Sequence, residues 1–356
     1  MNFSIHPTVN LLPGPVSRFP AVDRAFRQEP VSHRSQRFLH DFQSLRRSLT
    51  QLTRAGSVHL LSGSGSLANE VIAARLSLRK SRGLMVSCGE FGDRLIDQAQ
   101  RWGLQFDTLR FPWGSAIEWQ ALQDHLDANH IDWLWTPHCE TSSGYLIDLD
   151  RLKSLSIRYN YAICLDAVSS LGNTAVDLKG IHLASGTSGK GFGGYPGIAL
   201  VFSADRGLVA TDRLPAYLDI GAHQARQGLP YTLNSNLFYA LQTGVELTGN
   251  EAHWKKMATL AYTLETGLAT LGLSPMLPRS QRLPGVLTVA LPQKQSAVEL
   301  GQFLRQKGVL VSFESQYLQA HNWIQFCLMG HQHPGNGQRL LALLRRYFNR
   351  QTRWVA

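Results

Sequence analysis

Two short stretches, read together, constrain this chain most. Tyr161-Ala-Ile-Cys-Leu-Asp166 is an apolar run that ends in a carboxylate. A run of this kind reads as a buried parallel strand that presents Asp166 at its C-terminal end. Residues 182–201 then read His-Leu-Ala-Ser-Gly-Thr-Ser-Gly-Lys-Gly-Phe-Gly-Gly-Tyr-Pro-Gly-Ile-Ala-Leu-Val, with Lys190 among glycines and small polar residues. Glycine loses the most backbone entropy on ordering, so the composition predicts a loop that lets a backbone approach a ligand closely. Most lysines in such loops are solvated turn residues, and most aspartates after a strand are caps or turn formers. The pair gains weight only from what surrounds it.

From about residue 55 to 200 the pattern predicts strands alternating with helices. Val58-His-Leu-Leu61 is a strand, followed by the Ser62-Gly-Ser-Gly-Ser66 turn and a helix through Leu76. Free N–H groups at a helix start, with serine hydroxyls beside them, make a phosphate cradle. Leu84–Ser87 is a strand leading into Cys88-Gly-Glu-Phe-Gly-Asp-Arg94 and a helix through Trp102. Phe91 there has the shape to lie flat on a planar ring, and core packing is the plainer use. Residues 131–136 form a strand that ends at Pro137-His-Cys-Glu-Thr-Ser-Ser-Gly144, a loop dense in hydrogen-bonding groups. A helix over Leu149–Tyr159 and a strand near 181–185 complete the series. The candidate chemistry falls at strand C-terminal ends, where open α/β sheets place ligands. A partly desolvated lysine can lose its proton and form a Schiff base, and an aspartate can pair with a protonated ring nitrogen. Those are the two anchors of a pyridoxal 5'-phosphate site.

Pro and Gly punctuate residues 10–22, an N-terminal arm. Apolar spacing predicts helices over 38–54 and most of 237–270. Beyond 275 come strands at 285–291, 309–313 and 323–328 and helices at 297–307 and 337–349, a small α+β lobe. The expected division is an arm over 1–20, a large domain over 21–250 and a small C-terminal domain over 251–356. No apolar run reaches the ~18 residues of a membrane span, and the start, Met1 to Pro7, lacks the pattern of a secretory signal. The four cysteines, Cys88, Cys139, Cys164 and Cys327, are scattered, which argues against zinc or a disulfide framework and for reduced thiols in the cytoplasm. The net charge of +10 is spread out except at Arg345, Arg346, Arg350 and Arg353, which suit the end of an amphipathic helix. The expected partners are anionic small molecules, with neither nucleic acid nor membrane among them.

The motifs in order resemble the class V aminotransferases, pyridoxal phosphate enzymes of fold type I. The nearest branch resembles the alanine–glyoxylate, serine–pyruvate and 2-aminoethylphosphonate–pyruvate group. The resemblance rests on Leu11-Leu-Pro-Gly-Pro15, His33-Arg-Ser35, Ser62-Gly-Ser-Gly-Ser66, Gly89-Glu-Phe-Gly-Asp-Arg94, His138-Cys-Glu-Thr-Ser-Ser-Gly144, Asp166-Ala-Val-Ser-Ser-Leu-Gly172 and Ser185-Gly-Thr-Ser-Gly-Lys-Gly191, with Tyr195-Pro-Gly197 after them. It covers nearly the whole chain. It implies an α/β fold whose large domain holds a mostly parallel seven-stranded sheet, followed by the small domain. It implies that Lys190 forms the Schiff base and shuttles the proton, while Asp166 keeps the pyridine nitrogen protonated. Phe91 and Val168 would take the two ring faces, Thr141 the ring hydroxyl, and Gly65 and Ser66 the phosphate. Tyr231 and Asn234 would reach the same phosphate from the other subunit of a homodimer, and Gly14 and Gln325 would meet substrate.

The implied activity is transfer of an amino group from a small amino acid or amine to a 2-oxo acid. Three positions depart from the family pattern. Gly189 stands where the family has Gln before the lysine, and the segment around Asn234 lacks the usual Thr-x-Pro. Gln325 replaces the arginine that forks onto the substrate α-carboxylate. Arg18, Arg34 and His33 are the expected substitutes for that charge. The alternatives are a donor with no α-carboxylate, or a lyase, decarboxylase or desulfurase reaction on the same fold. A desulfurase needs a mobile nucleophilic cysteine, for which Cys139 and Cys327 are the candidates.

Overall fold

The computed structural model describes residues 9–205 and 208–352. Met1 to Pro7 and Arg353, on which two sequence expectations rest, lie outside the described residues. The strands are β1 (Val9–Leu11), β2 (Ser57–Gly63), β3 (Arg82–Ser87), β4 (Gln105–Arg110), β5 (Trp133–Pro137), β6 (Cys139–Glu140), β7 (Tyr145–Leu146), β8 (Ala162–Asp166), β9 (Leu183–Thr187), β10 (Gly197–Ser203), β11 (Val286–Ala290), β12 (Val309–Val311) and β13 (Trp323–Cys327). The helices are α1 (Pro20–Phe26), α2 (Gln36–Thr53), α3 (Gly65–Ser77), α4 (Glu90–Arg101), α5 (Trp119–Ala128), α6 (Leu149–Tyr159), α7 (Ile220–Ala225), α8 (Ser235–Thr248), α9 (Glu251–Ala269), α10 (Ala297–Gln306), α11 (Gln316–His321) and α12 (Gly335–Thr352).

Seven strands form one sheet in the order β2-β10-β9-β8-β5-β3-β4. All neighbours run parallel except β10, which is antiparallel to both β2 and β9. The central strands β5 and β9 are buried at every residue, because helices cover both faces of a parallel sheet. Alternate side chains feed two cores, as the two-residue period of a strand requires. Leu134, Ile163 and Leu165 pack with Phe38, Phe42, Leu122, Leu152 and Phe238 of α2, α5, α6 and α8. Trp133, Trp135 and Cys164 pack on the other side with Val71, Leu95 and Ile220 of α3, α4 and α7. A third core joins α9, α10 and α12 to β11, β12 and β13, and includes Val9 and Leu11. There β1 pairs in parallel with β12, so the start of the arm is part of the small lobe. No described helix is long and apolar enough to cross a membrane.

The α/β architecture matches the expectation, and most elements fall where the periodicity puts them. Two differences have a physical reason. Residues 182–201 are not one loop: β9 and β10 occupy most of both ends, and residues 188–196 form the connection between them. The small residues of β9 pack in a fully buried sheet interior, where glycine's lack of bulk is tolerated. The pattern also gave no signal for β4 and α5. β4 is an edge strand with no buried residue, so its apolar alternation is weak.

Gly172 shows how tightly the lysine loop is packed. Its φ is +78°, and a Cβ there would lie 2.5 Å from Gly191 C and 2.6 Å from Phe192 N. Gly172→Ala is therefore expected to destabilise the fold by about 1–3 kcal/mol, a drop of several degrees in thermal melting. A melting temperature equal to that of the parent would show the loop to be looser than described.

Candidate active site

A cavity of about 700 Å3 opens at the carboxyl edge of the sheet. Gly14, Gly65, Ser66, Phe91, Thr141, Asp166, Val168 and Lys190 all line it. Each arrives on a connection that follows a strand. The turn after β2 leads into α3 with Gly65 and Ser66, and β3 leads to Phe91 in the first turn of α4. The loop after β5 carries Thr141, β8 ends at Asp166, and the loop after β9 carries Lys190. The arm brings Gly14 close to the lysine stem, since a Cβ there would lie 3.7 Å from Lys190 Cγ.

The amine of Lys190 donates to Ser169 Oγ at 2.8 Å, and that hydroxyl lies 2.5 Å from Thr141 Oγ1. Burial lowers the lysine below its ordinary value, with Asp166 pulling the other way. The neutral amine is thus more accessible than in a solvated lysine. Asp166 accepts from Asn69 Nδ2 at 2.8 Å and from the Val168 N–H at 2.9 Å. The ring of Phe91 has Lys190 Nζ 5.4 Å and Arg94 Cζ 5.0 Å from its centroid. Its loop is held by Glu140, a buried carboxylate that accepts from the N–H groups of Phe91 at 3.1 Å, Gly92 at 2.9 Å and Ser142 at 3.0 Å. Burial raises the Glu140 carboxyl and those donors oppose the rise.

Three of the expected residues are not brought to this cavity. Gln325 is fully buried in β13, with Nε2 donating to Thr141 O at 2.6 Å and to Thr288 Oγ1 at 2.7 Å. Its donors are spent beneath the Thr141 loop, so it does not form cavity wall. Asn234 caps α8, accepting from the Leu237 N–H at 3.0 Å. Tyr231 stacks on Tyr217 with ring centroids 5.1 Å apart. The substitutes for the missing charge are also elsewhere: Arg18 pairs with Asp23 at 2.8 Å, and neither it nor His33 nor Arg34 lines the cavity. The cations that do line it are Lys190, Arg94 and Arg101. Sequence reading missed Asn69, Ser169 and Glu140, although Ser169 and Glu140 lie inside motifs it had singled out and Asn69 lies in the helix just after one. Cys139 lines the cavity, and burial pushes both its thiol and that of Cys327 up.

Fold and cavity together define an enzyme of the fold-type-I aminotransferase kind. The chain matches the family described as aminotransferase class-V over residues 24–313, and it belongs to that family. It is 27% identical over 314 residues to a Synechococcus protein named soluble hydrogenase, small subunit, covering 83% of this chain and 81% of that one. It is 28% identical over 287 residues to the 2-aminoethylphosphonate–pyruvate transaminase of Pseudomonas putida, covering 72% and 77%. The crystal structure of alanine–glyoxylate aminotransferase from Nostoc superposes with a TM-score of 0.88 at 26% identity, covering 97% of each chain.

The residues present fit pyridoxal phosphate. Helix α3 has no side-chain cap at Ser64, which leaves its first N–H groups for an anion. A Cβ on Gly65 would lie 2.7 Å from a Val168 methyl, so only glycine lets these two walls of the cavity approach. Ser169 supplies the hydrogen bond that favours the charged form of Lys190. Ser169→Ala is expected to move the lysine's titration further down, by about one pH unit, since a hydrogen bond to a charged group is worth roughly that. The pH dependence of Lys190 acylation, followed by peptide mass mapping, reads it. An unmoved or raised midpoint would remove Ser169 from this role.

Proposed function

We propose that this protein is a pyridoxal-phosphate-dependent transaminase that moves an amino group from a small amino acid or amine to a 2-oxo acid. The observation that carries the reading is the amine of Lys190 and the carboxylate of Asp166 on one cavity, with an uncapped helix start beside them. When bound, the cofactor supplies an aldehyde that links to amines and a ring that delocalises the electron pair left on a substrate carbon. Lys190 Nζ would hold the cofactor at rest, then take the proton from the substrate carbon and return it one position along. Asp166 would keep the ring nitrogen protonated. Gly65 and Ser66 would hold the phosphate, Phe91 and Val168 the ring faces, and Thr141 the ring hydroxyl.

The carboxylate of the 2-oxo acid needs a cation, and Gln325 offers neither charge nor a spare donor. We assign that contact to Arg94, which lines the cavity beside the Phe91 ring and pairs with Glu90 at 2.7 Å on its own helix. The buried thiols of Cys139 and Cys327 count against a desulfurase, because a thiol pushed up supplies little thiolate. We place Tyr231 and Asn234 at the partner's cavity in a homodimer, as the family resemblance implies; neither lines the cavity of its own chain. The absence of an apolar spanning helix among the described residues is compatible with the expected cytoplasmic location.

Two experiments test this reading. Borohydride reduction of the cofactor-loaded protein is expected to fix the cofactor on Lys190, and an amino donor should then convert the cofactor to its amine form. Release of ammonia, sulfide or carbon dioxide without that conversion would replace transamination by one of the other reactions. Arg94→Met is expected to raise the KM for the 2-oxo acid by about 10- to 100-fold with little change in kcat, the scale of a lost charge-assisted pair. An unchanged KM would move the carboxylate contact elsewhere.

A further inference from the structure

Asp166 does not stand alone in its corner. Each of its oxygens already accepts one hydrogen bond, Oδ2 from Asn69 and Oδ1 from the Val168 N–H. Asn69 is 6% exposed, lines the cavity, and stands one helical turn after Gly65 on α3. Its own Oδ1 is buried and has no hydrogen-bond partner among the described residues. The reverse amide orientation would set that oxygen against the carboxylate, acceptor on acceptor, so Nδ2 toward Asp166 is the physically consistent choice.

We propose that Asn69 is a positioning residue that holds the Asp166 carboxylate in the orientation that meets the cofactor's ring nitrogen; this rests on the reading of the cavity as a pyridoxal phosphate site. Together with the Val168 N–H, Asn69 fixes which lone pairs of Asp166 remain free for the ring N–H. The unpartnered Oδ1 gives the same wall a second acceptor. Residues four apart share a helix face, so α3 carries the phosphate cradle at Gly65 and the Asp166 partner at Asn69 on one side. One rigid element thus sets the spacing between the two ends of the site.

The test uses protein loaded with pyridoxal phosphate carrying nitrogen-15 in its ring. Asn69→Leu removes the donor and roughly keeps the volume, whereas Asn69→Ala removes both. Both variants are expected to shift the ring-nitrogen resonance from its wild-type position and to raise the cofactor dissociation constant about tenfold, the scale of one hydrogen bond to a charged group. Melting of the apo proteins separates a packing loss, which only the alanine variant should show. A wild-type resonance in both variants, or a shift confined to Asn69→Ala, overturns the assignment. Wild-type protein that takes up no cofactor overturns the underlying reading, and the assignment with it.

Discussion

The site depends on keeping an amine and a carboxylate close together, out of bulk water, without letting them collapse into a simple ion pair. Ser169 takes the hydrogen bond of Lys190, while Asn69 and the Val168 N–H take the two oxygens of Asp166. Each charged group thus has a neutral partner of its own. This leaves the lysine lowered by burial and the carboxylate held by protein dipoles. The sheet exists, in functional terms, to deliver these partners from separate strands to one edge.

Much of that arrangement was legible in the sequence, because glycine and serine clusters punctuate it wherever a strand ends. Phe91, Thr141, Asp166 and Lys190 could be placed at or after strand ends by pattern and spacing, Val168 entered only through the family resemblance, and the structure puts all five on one cavity. What could not be read is who faces whom. Asn69 sits in a helix where an asparagine carries no local signal, and it matters only because β8 brings Asp166 to it. Glu140 reads as one polar residue in a polar loop, and its role appears only when the Phe91 backbone turns its N–H groups onto it. The edge strand β4 was illegible for a different reason, since a half-exposed strand has no apolar alternation to detect.

Gln325 shows the limit of reading a site by aligned position. The family resemblance implies a substrate-binding arginine at its place in the small lobe. A shorter amide cannot reach as far as a guanidinium, and here it serves as a strut between Thr141 O and Thr288 Oγ1. The positive charge on the cavity comes from α4 instead, at Arg94 and Arg101.

The direction of β10 has a consequence for how the lysine is installed. Because β10 runs against β9, the chain needs only a short excursion between them, closed by Ser188 N–H to Ile198 O at 3.0 Å and Ser188 Oγ to Tyr195 O at 2.6 Å. A parallel neighbour would demand a long crossover. Closing a short excursion costs little chain entropy, whereas β2 must find β10 across most of the large domain. Lys190 therefore belongs to a locally encoded hairpin, Asp166 comes from the strand just before it, and only the turn carrying Gly65 and Ser66 has to be recruited from far along the polypeptide.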